Sequence, residues 1–166
     1  MKYSKSSTLN HPLAQSYPEC VKDINQVIFD EDDNLVVPGN SFTEVEVIDL
    51  DCVESKVAKK EKRSPNKTCD ITFVVENGTD SKSLLVELRF NYKNLSNLKK
   101  DDLVGKVAGS KYLVEDDNTS VHEKNIFIFQ PNLVQQAINR MQRMNPRVPT
   151  DYTAMDIETL KSEYFQ

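Results

Sequence analysis

Two carboxylates seventeen positions apart, Asp70 and Glu87, lead the residues of this chain whose types and spacing could do chemistry. They sit in runs rich in apolar and β-branched residues, Cys69-Asp70-Ile71-Thr72-Phe73-Val74-Val75 and Leu84-Leu85-Val86-Glu87-Leu88-Arg89-Phe90, on either side of Asn77-Gly78. Asn-Gly between such runs is a strong hairpin signal. With Gly78 and Thr79 as a two-residue turn, Ile71 opposes Val86, Phe73 opposes Leu84 and Cys69 opposes Leu88 on an apolar side. Asp70 then opposes Glu87 on the other. With Asn77 and Gly78 as the turn, the acids become diagonal but keep one face, because a two-residue shift preserves strand parity. Directly opposed side chains stand about 5 Å apart at Cβ. Two like charges at that distance repel unless a cation lies between them, and a metal ion is one such cation. The competing reading of the same residues is a surface ion-pair cluster with Arg89, worth little to stability.

The rest of the composition bounds what can surround this pair. The chain has 166 residues, 38% hydrophobic and 28% charged, and a formal charge of −5. That length suits one domain with peripheral segments and a core large enough to need no disulfide staples. The negative balance excludes recruitment of nucleic acid by whole-molecule charge, so any such binding needs a local basic patch. One exists between Lys56 and Lys67, where Lys59, Lys60, Lys62, Arg63 and Lys67 outnumber Glu61. It reads as a loop, either simply solvated or touching phosphate beside the hairpin. Cys20, Cys52 and Cys69 form no CxxC pair, which suits a reducing compartment. His11 and His122 stand apart, against a His/Cys zinc cluster. The polar start Met1-Lys2-Tyr3-Ser4-Lys5 has no apolar signal core, and no run approaches the length of a membrane span. The expectation is a cytoplasmic protein with no membrane association.

The elements that must position the acids are read from hydrophobic period and turn chemistry. Residues 1–16 are expected as an N-terminal arm, 17–145 as a single domain, and 146–166 as a C-terminal tail with a short helix. Pro18 to Ile24 predicts a first helix. Val27-Ile28-Phe29 and Leu35-Val36-Val37 predict a hairpin tipped by Asp30-Glu31-Asp32-Asp33-Asn34. A calcium loop there is disfavoured, since Leu35 and Ser41 occupy the positions that need glycine and a bidentate acid. Phe42 to Leu50 predicts a strand and Leu98 to Glu115 a helix. The helix contains Gly105 and Gly109, read as points of close packing against the sheet, with close approach of a ligand as the alternative. Ile126 to Phe129 predicts a buried strand. Pro131 to Met144 predicts a helix with apolar Leu133, Val134, Ala137, Ile138 and Met141 at helical spacing, stopped by Asn145-Pro146. The fold class is α+β: a three-strand antiparallel meander plus a further strand, flanked by helices.

This order, with Cys69-Asp70-Ile71 opening one core strand and Val86-Glu87-Leu88-Arg89 on the next, resembles the PD-(D/E)XK nuclease superfamily over roughly residues 18–131. The resemblance implies the restriction-endonuclease-like αβββαβ core. It also implies catalysis by Asp70 and Glu87 holding Mg²⁺ or Mn²⁺, with a lysine beside them. At Arg89 the chain departs from the family pattern, which has lysine there. Arginine grips phosphate but does not give up its proton, so the two are not equivalent. Lys93 is the first substitute, on the same strand face if the strand runs that far, and Lys106 or Lys111 on the following helix are others. Glu19 or Asp49 would supply a third acid. The implied function is a metal-dependent nuclease acting on DNA or RNA. The alternatives are an inactive relative that binds nucleic acid or a protein partner, and an unrelated immunity-type or adaptor module with an acidic contact face.

Overall fold

The computed structural model describes residues 1–32, 37, 41–115 and 119–166. Its strands are β1 (Lys2–Tyr3), β2 (Val21–Asp23), β3 (Glu46–Asp49), β4 (Ile71–Asn77), β5 (Asp80–Arg89), β6 (Val121–Phe129) and β7 (Tyr152–Met155). They form one mixed sheet in the order β2-β3-β4-β5-β6-β7, with β1 also pairing with β4. From β2 to β5 neighbours are antiparallel; β5–β6 and β6–β7 are parallel. The fold is therefore mixed α+β, as expected.

Parallel neighbours need crossover helices. These are α5 (Lys100–Val114) between β5 and β6, and α6 (Val134–Arg143) between β6 and β7. Each face of the sheet carries its own core. Phe73, Leu84, Val86, Ile126 and Ile128 pack in one cluster with Ile24, Ile28, Ile157 and Leu160. Leu85, Phe127 and Phe129 pack in the other with Leu103, Val107, Ala137 and Met141. Alternate residues of β6 thus enter opposite cores, which is why Ile126-Phe127-Ile128-Phe129 is apolar without interruption.

Several elements differ from expectation. The helix expected at 18–24 is not formed there: Pro18–Cys20 is a 3₁₀ turn, Val21–Asp23 is β2, and α3 spans Ile24–Glu31. The Asp23 carboxylate caps α3 by accepting from Asn25 N–H at 2.8 Å. Ile24, Val27 and Ile28 then fall on one buried face, so a segment expected as a hairpin arm is helical. The other arm, Leu35-Val36, lies outside the described residues, as do Asp33 and Asn34. Strand β3 covers only the end of the 42–50 segment.

The basic loop is also corrected. Asp49 accepts from Cys52 N–H at 2.8 Å and starts α4, Leu50–Glu61. Leu50, Val53 and Ala58 are buried and the lysines lie on the opposite side, so the charge run is the outer face of a helix. The helix ends at Lys62, left-handed at φ 56°. Because α4 joins β3 to β4, the three antiparallel strands do not form an uninterrupted meander.

The cysteines are the last correction here. Cys20 and Cys52 form a disulfide with Cα atoms 5.6 Å apart, and Cys69 is free and buried. This cross-link ties the 3₁₀ turn to the first turn of α4 and removes the argument for a reducing compartment. The two terminal segments join the fold: β1 pairs with β4, α1 (Lys5–Leu9) and α2 (Pro12–Ser16) follow it, and β7 leads to α7 (Ile157–Tyr164). Among the described residues, no helix is long and apolar enough to cross a membrane.

Candidate functional site

The β4–β5 hairpin has the register that its sequence predicts. Ile71 pairs with Val86, Phe73 with Leu84 and Asn77 with Asp80, leaving Gly78 and Thr79 as the turn. Gly78 has φ +65°, a conformation that glycine adopts without the Cβ penalty. Asp70 immediately precedes β4, and Glu87 lies on β5. Cys69 does not share the apolar side of Leu88; it belongs to the opposite core with Leu85. The cause is that β4 begins only at Ile71, and Cys69 N–H donates to Ser110 Oγ on α5 instead, at 2.7 Å.

Helix α5 supplies the cation. Lys106 Nζ lies 2.9 Å from Glu87 Oε1 and 4.0 Å from Asp70 Oδ1, and donates to the Thr68 carbonyl at 3.0 Å. The close seat of α5 depends on Gly109, where a Cβ would stand 1.9 Å from the Lys67 carbonyl oxygen. Glycine here means close packing of backbone, as its sequence position suggests. Asp70 Oδ2 accepts from Leu88 N–H. Arg89 Nε approaches Glu87 Oε1 at 2.8 Å without an aligned hydrogen bond. Its guanidinium is held elsewhere: Nη2 donates to Asp102 Oδ2 at 2.6 Å, and Nη1 to the Tyr92 hydroxyl at 3.0 Å. Lys67 Nζ also donates to Asp102, at 2.8 Å.

Both acids are buried, Asp70 to 6% exposure and Glu87 to 2%. Burial, and then repulsion from Asp70, pushes the Glu87 carboxyl up to about 8 despite Arg89 and Lys106. Burial also raises Asp70 to about 6; Lys106 and the Leu88 N–H oppose this, while Glu31 and Asp51 add to it. Burial alone would lower the Lys106 ammonium, but Glu87 and Asp70 outweigh it and hold the group protonated. Glu87 Oε2 is buried with no hydrogen-bond partner. A hard-oxygen acceptor left open beside a second carboxylate fits a small divalent cation. Magnesium binds through as few as one or two carboxylates and keeps its waters.

Asp70, Glu87 and Arg89 therefore come together, and Lys93 does not join them. Strand β5 ends at Arg89, so Lys93 falls in the following loop, exposed beside Asn91, Tyr92, Asn94 and Asn97. Lys106 takes its place. Of the basic residues between 59 and 67, Arg63 is bound to Glu54 and Glu61, and Lys67 to Asp102. Lys59, Lys60 and Lys62 remain on the exposed side of α4 and its cap. Neither proposed third acid enters. Glu19 pairs with Lys56 at 2.8 Å, and Asp49 with Lys22 at 2.6 Å while capping α4. The acids whose charge does reach Asp70 are Glu31 at the end of α3 and Asp51 at the start of α4. Asp51 accepts from the Thr68 hydroxyl, next to the chain segment that Lys106 holds. Sequence spacing gave no signal for either, since both depend on helices placed differently from expectation. Asp102, missed in the sequence, lies four positions before Lys106 on α5, and that spacing is the signal that could have placed the two on one helix face.

Among the described residues, no group of three or more His, Cys, Asp and Glu side chains is arranged to hold a metal ion. Comparison with family models, curated proteins and solved structures finds no match to this chain.

Proposed function

We propose that Asp70, Glu87 and Lys106 form a metal-dependent phosphodiesterase site, in a nuclease of the PD-(D/E)XK type acting on DNA or RNA. The observation that carries this reading is the Lys106 ammonium set against both buried carboxylates, supplying from α5 the amine missing at Arg89. Asp70 and Glu87 would hold Mg²⁺ or Mn²⁺. Bound there, the ion would lower the pKa of a water and balance charge on the phosphodiester. The chain's own groups do the rest. Lys106 stays charged beside its carboxylates and stabilises negative charge developing on the phosphate oxygens. Because it keeps its proton, it acts as an electrostatic partner and not as the base. Arg89, fixed by Asp102 and Tyr92, sits on the rim and orients the scissile phosphate. Burial excludes bulk water and strengthens the interactions between these charges.

A second reading is favoured by the charge balance: Glu87 already faces both Lys106 and Arg89. On that reading the cluster is a closed ion network in a nuclease-like binding module that does no chemistry. Gel cleavage assays in Mg²⁺ and Mn²⁺ across single- and double-stranded DNA and RNA, with metal titration calorimetry, separate the two. The catalytic reading expects cleavage that Glu87→Gln abolishes and Lys106→Met lowers by about 100-fold, within the range for removing one electrostatic donor. No cleavage and no heat of metal binding would leave the binding module.

A further inference from the structure

A basic groove lies apart from the acids. Residues 95–101 and the outer side of α6 enclose an open cleft of about 840 Å³. Lys99, Lys100, Arg140 and Arg143 line it, and Asp101 is the one acid among its described lining residues. This local excess of positive charge stands against a chain charge of −5. The cations converge from separate elements, the entry to α5 and the last turns of α6. Arg140 Nη2 is anchored on the carbonyls of Ser96 and Leu98, at 3.2 and 3.3 Å. A guanidinium has five N–H donors, so this anchoring leaves others to offer. Lys99 precedes α5 without a side-chain cap, and Asp101 and Asp102 stand in that helix's first turn. Asn139 adds a neutral hydrogen-bonding group.

The groove and the acid site meet on the first turn of α5. Asp101 lines the groove, and its neighbour Asp102 holds Arg89 at the rim of the acids. We infer that this groove binds the sugar–phosphate backbone of a nucleic-acid strand and leads it over the start of α5 toward Asp70 and Glu87. The choice of nucleic acid over an acidic protein rests on the phosphodiester chemistry proposed for the neighbouring site. Arginine, lysine and amide side chains are the groups that make sequence-independent backbone contacts. The groove is a second basic surface, separate from exposed Lys59, Lys60 and Lys62 on α4 and its cap.

The test measures binding in EDTA, so that it does not depend on cleavage. The full chain is titrated into labelled 20-mers of single-stranded DNA, single-stranded RNA and duplex DNA from 50 to 200 mM salt, with poly-glutamate as a fourth ligand. Lys99→Gln/Lys100→Gln and, separately, Arg143→Gln should weaken binding, by about 10-fold for the double variant. For a single strand, losing two phosphate contacts should also flatten the salt slope by about 1.4. Lys59→Gln/Lys60→Gln, an equal charge change on α4, should stay within about twofold. Arg143→Gln leaves the entry to α5 untouched, so it answers if the double variant fails to fold. Equal loss in the α4 control, no binding of any oligonucleotide, or equally tight binding of poly-glutamate would overturn the inference. Glu87→Gln should bind undiminished. Groove-dependent binding without cleavage in Mg²⁺ would reject the catalytic reading and keep the groove.

Discussion

Two buried glutamates in this molecule face arginine, and they are treated in opposite ways. Glu54 on α4 is 1% exposed, and both of its oxygens are bound. Arg63 donates to each from Nη1 and Nη2, and Asn66 N–H donates to Oε1 at 2.6 Å. Burial acts to raise its pKa, yet Arg63 and Asn66 outweigh it and the carboxyl is held below the usual range. Glu87, at 2% exposure, faces two cations and still rises to about 8, with Oε2 left open. The difference lies in depth of burial, which is far greater around Glu87, and in hydrogen bonding and neighbours. Glu54 has aligned donors on both oxygens, from an Arg63 that also binds Glu61, whereas Glu87 has Oε2 open, shares Lys106 with Asp70 and is repelled by that acid. A saturated buried pair is structural; an unsaturated one is the pattern expected of a binding or catalytic site.

The largest effect that sharpens this contrast is on stability. Arg63→Ala leaves the Glu54 carboxylate without its two-pronged cation and should lower stability more than Lys106→Met does. Lys106→Met should cost less than about 1 kcal/mol at pH 6, because Glu87 answers the loss by staying protonated. Urea denaturation of both variants at that pH is the check, and equal losses would break the comparison.

A smaller effect joins the two regions. The loop from Arg63 to Lys67 runs from the Glu54 staple to the Asp102 carboxylate that holds Arg89. Gly109→Ala pushes a methyl into the Lys67 carbonyl and should cost about 1–3 kcal/mol, the usual range for overpacking. In thermal melts, a loss under about 0.5 kcal/mol would show that the loop yields freely and does not couple the staple to the rim.

The hairpin was legible because its information is local: Asn77-Gly78 and alternating apolar residues fix register over a few positions. Helices α5 and α6 were legible for the same reason. Gln135, Gln136, Asn139, Arg140 and Arg143 are exposed and Ala137 and Met141 buried, as the period predicts, although Ile138 is only half-buried. The segments forming α3 and α4 are less legible, because single residues decide between states there. Asp23 and Asp49 act as caps, a role that depends on the strand pairing before them. In α4 the run of lysines masks the spacing of Leu50, Val53 and Ala58. The disulfide depends on the same two misplaced segments. At the site, the acids were legible and their cation was not settled between Lys93, Lys106 and Lys111. That choice depends on where β5 stops and how closely Gly109 lets α5 approach.

The finest test of the contrast is the direction in which each acid makes stability depend on pH. Glu87 and Asp70 have folded pKa values raised to about 8 and about 6, above their ordinary values. Between those limits the folded protein binds more protons than the unfolded chain. Stability from this pair is therefore full below about pH 4 and is lost as pH rises through 6 and then 8. Glu54, with its pKa lowered, contributes in the opposite sense: its stability is present above its unfolded pKa and is lost as pH falls through the lower folded value. In EDTA, the wild-type unfolding free energy should decline from pH 5 to pH 8.5, by an amount of the order of a few kcal/mol. Glu87→Gln should remove most of that slope, and should be at least as stable as wild type at pH 8.5, because a neutral amide needs no desolvated charge. Glu54→Gln should keep the slope while lowering the whole curve, since Arg63 loses its charged partner. Urea midpoints at half-unit pH steps would read all three curves. A wild-type profile that rises toward pH 8.5, or a Glu87→Gln profile parallel to it, would mean that Glu87 is as fully satisfied as Glu54.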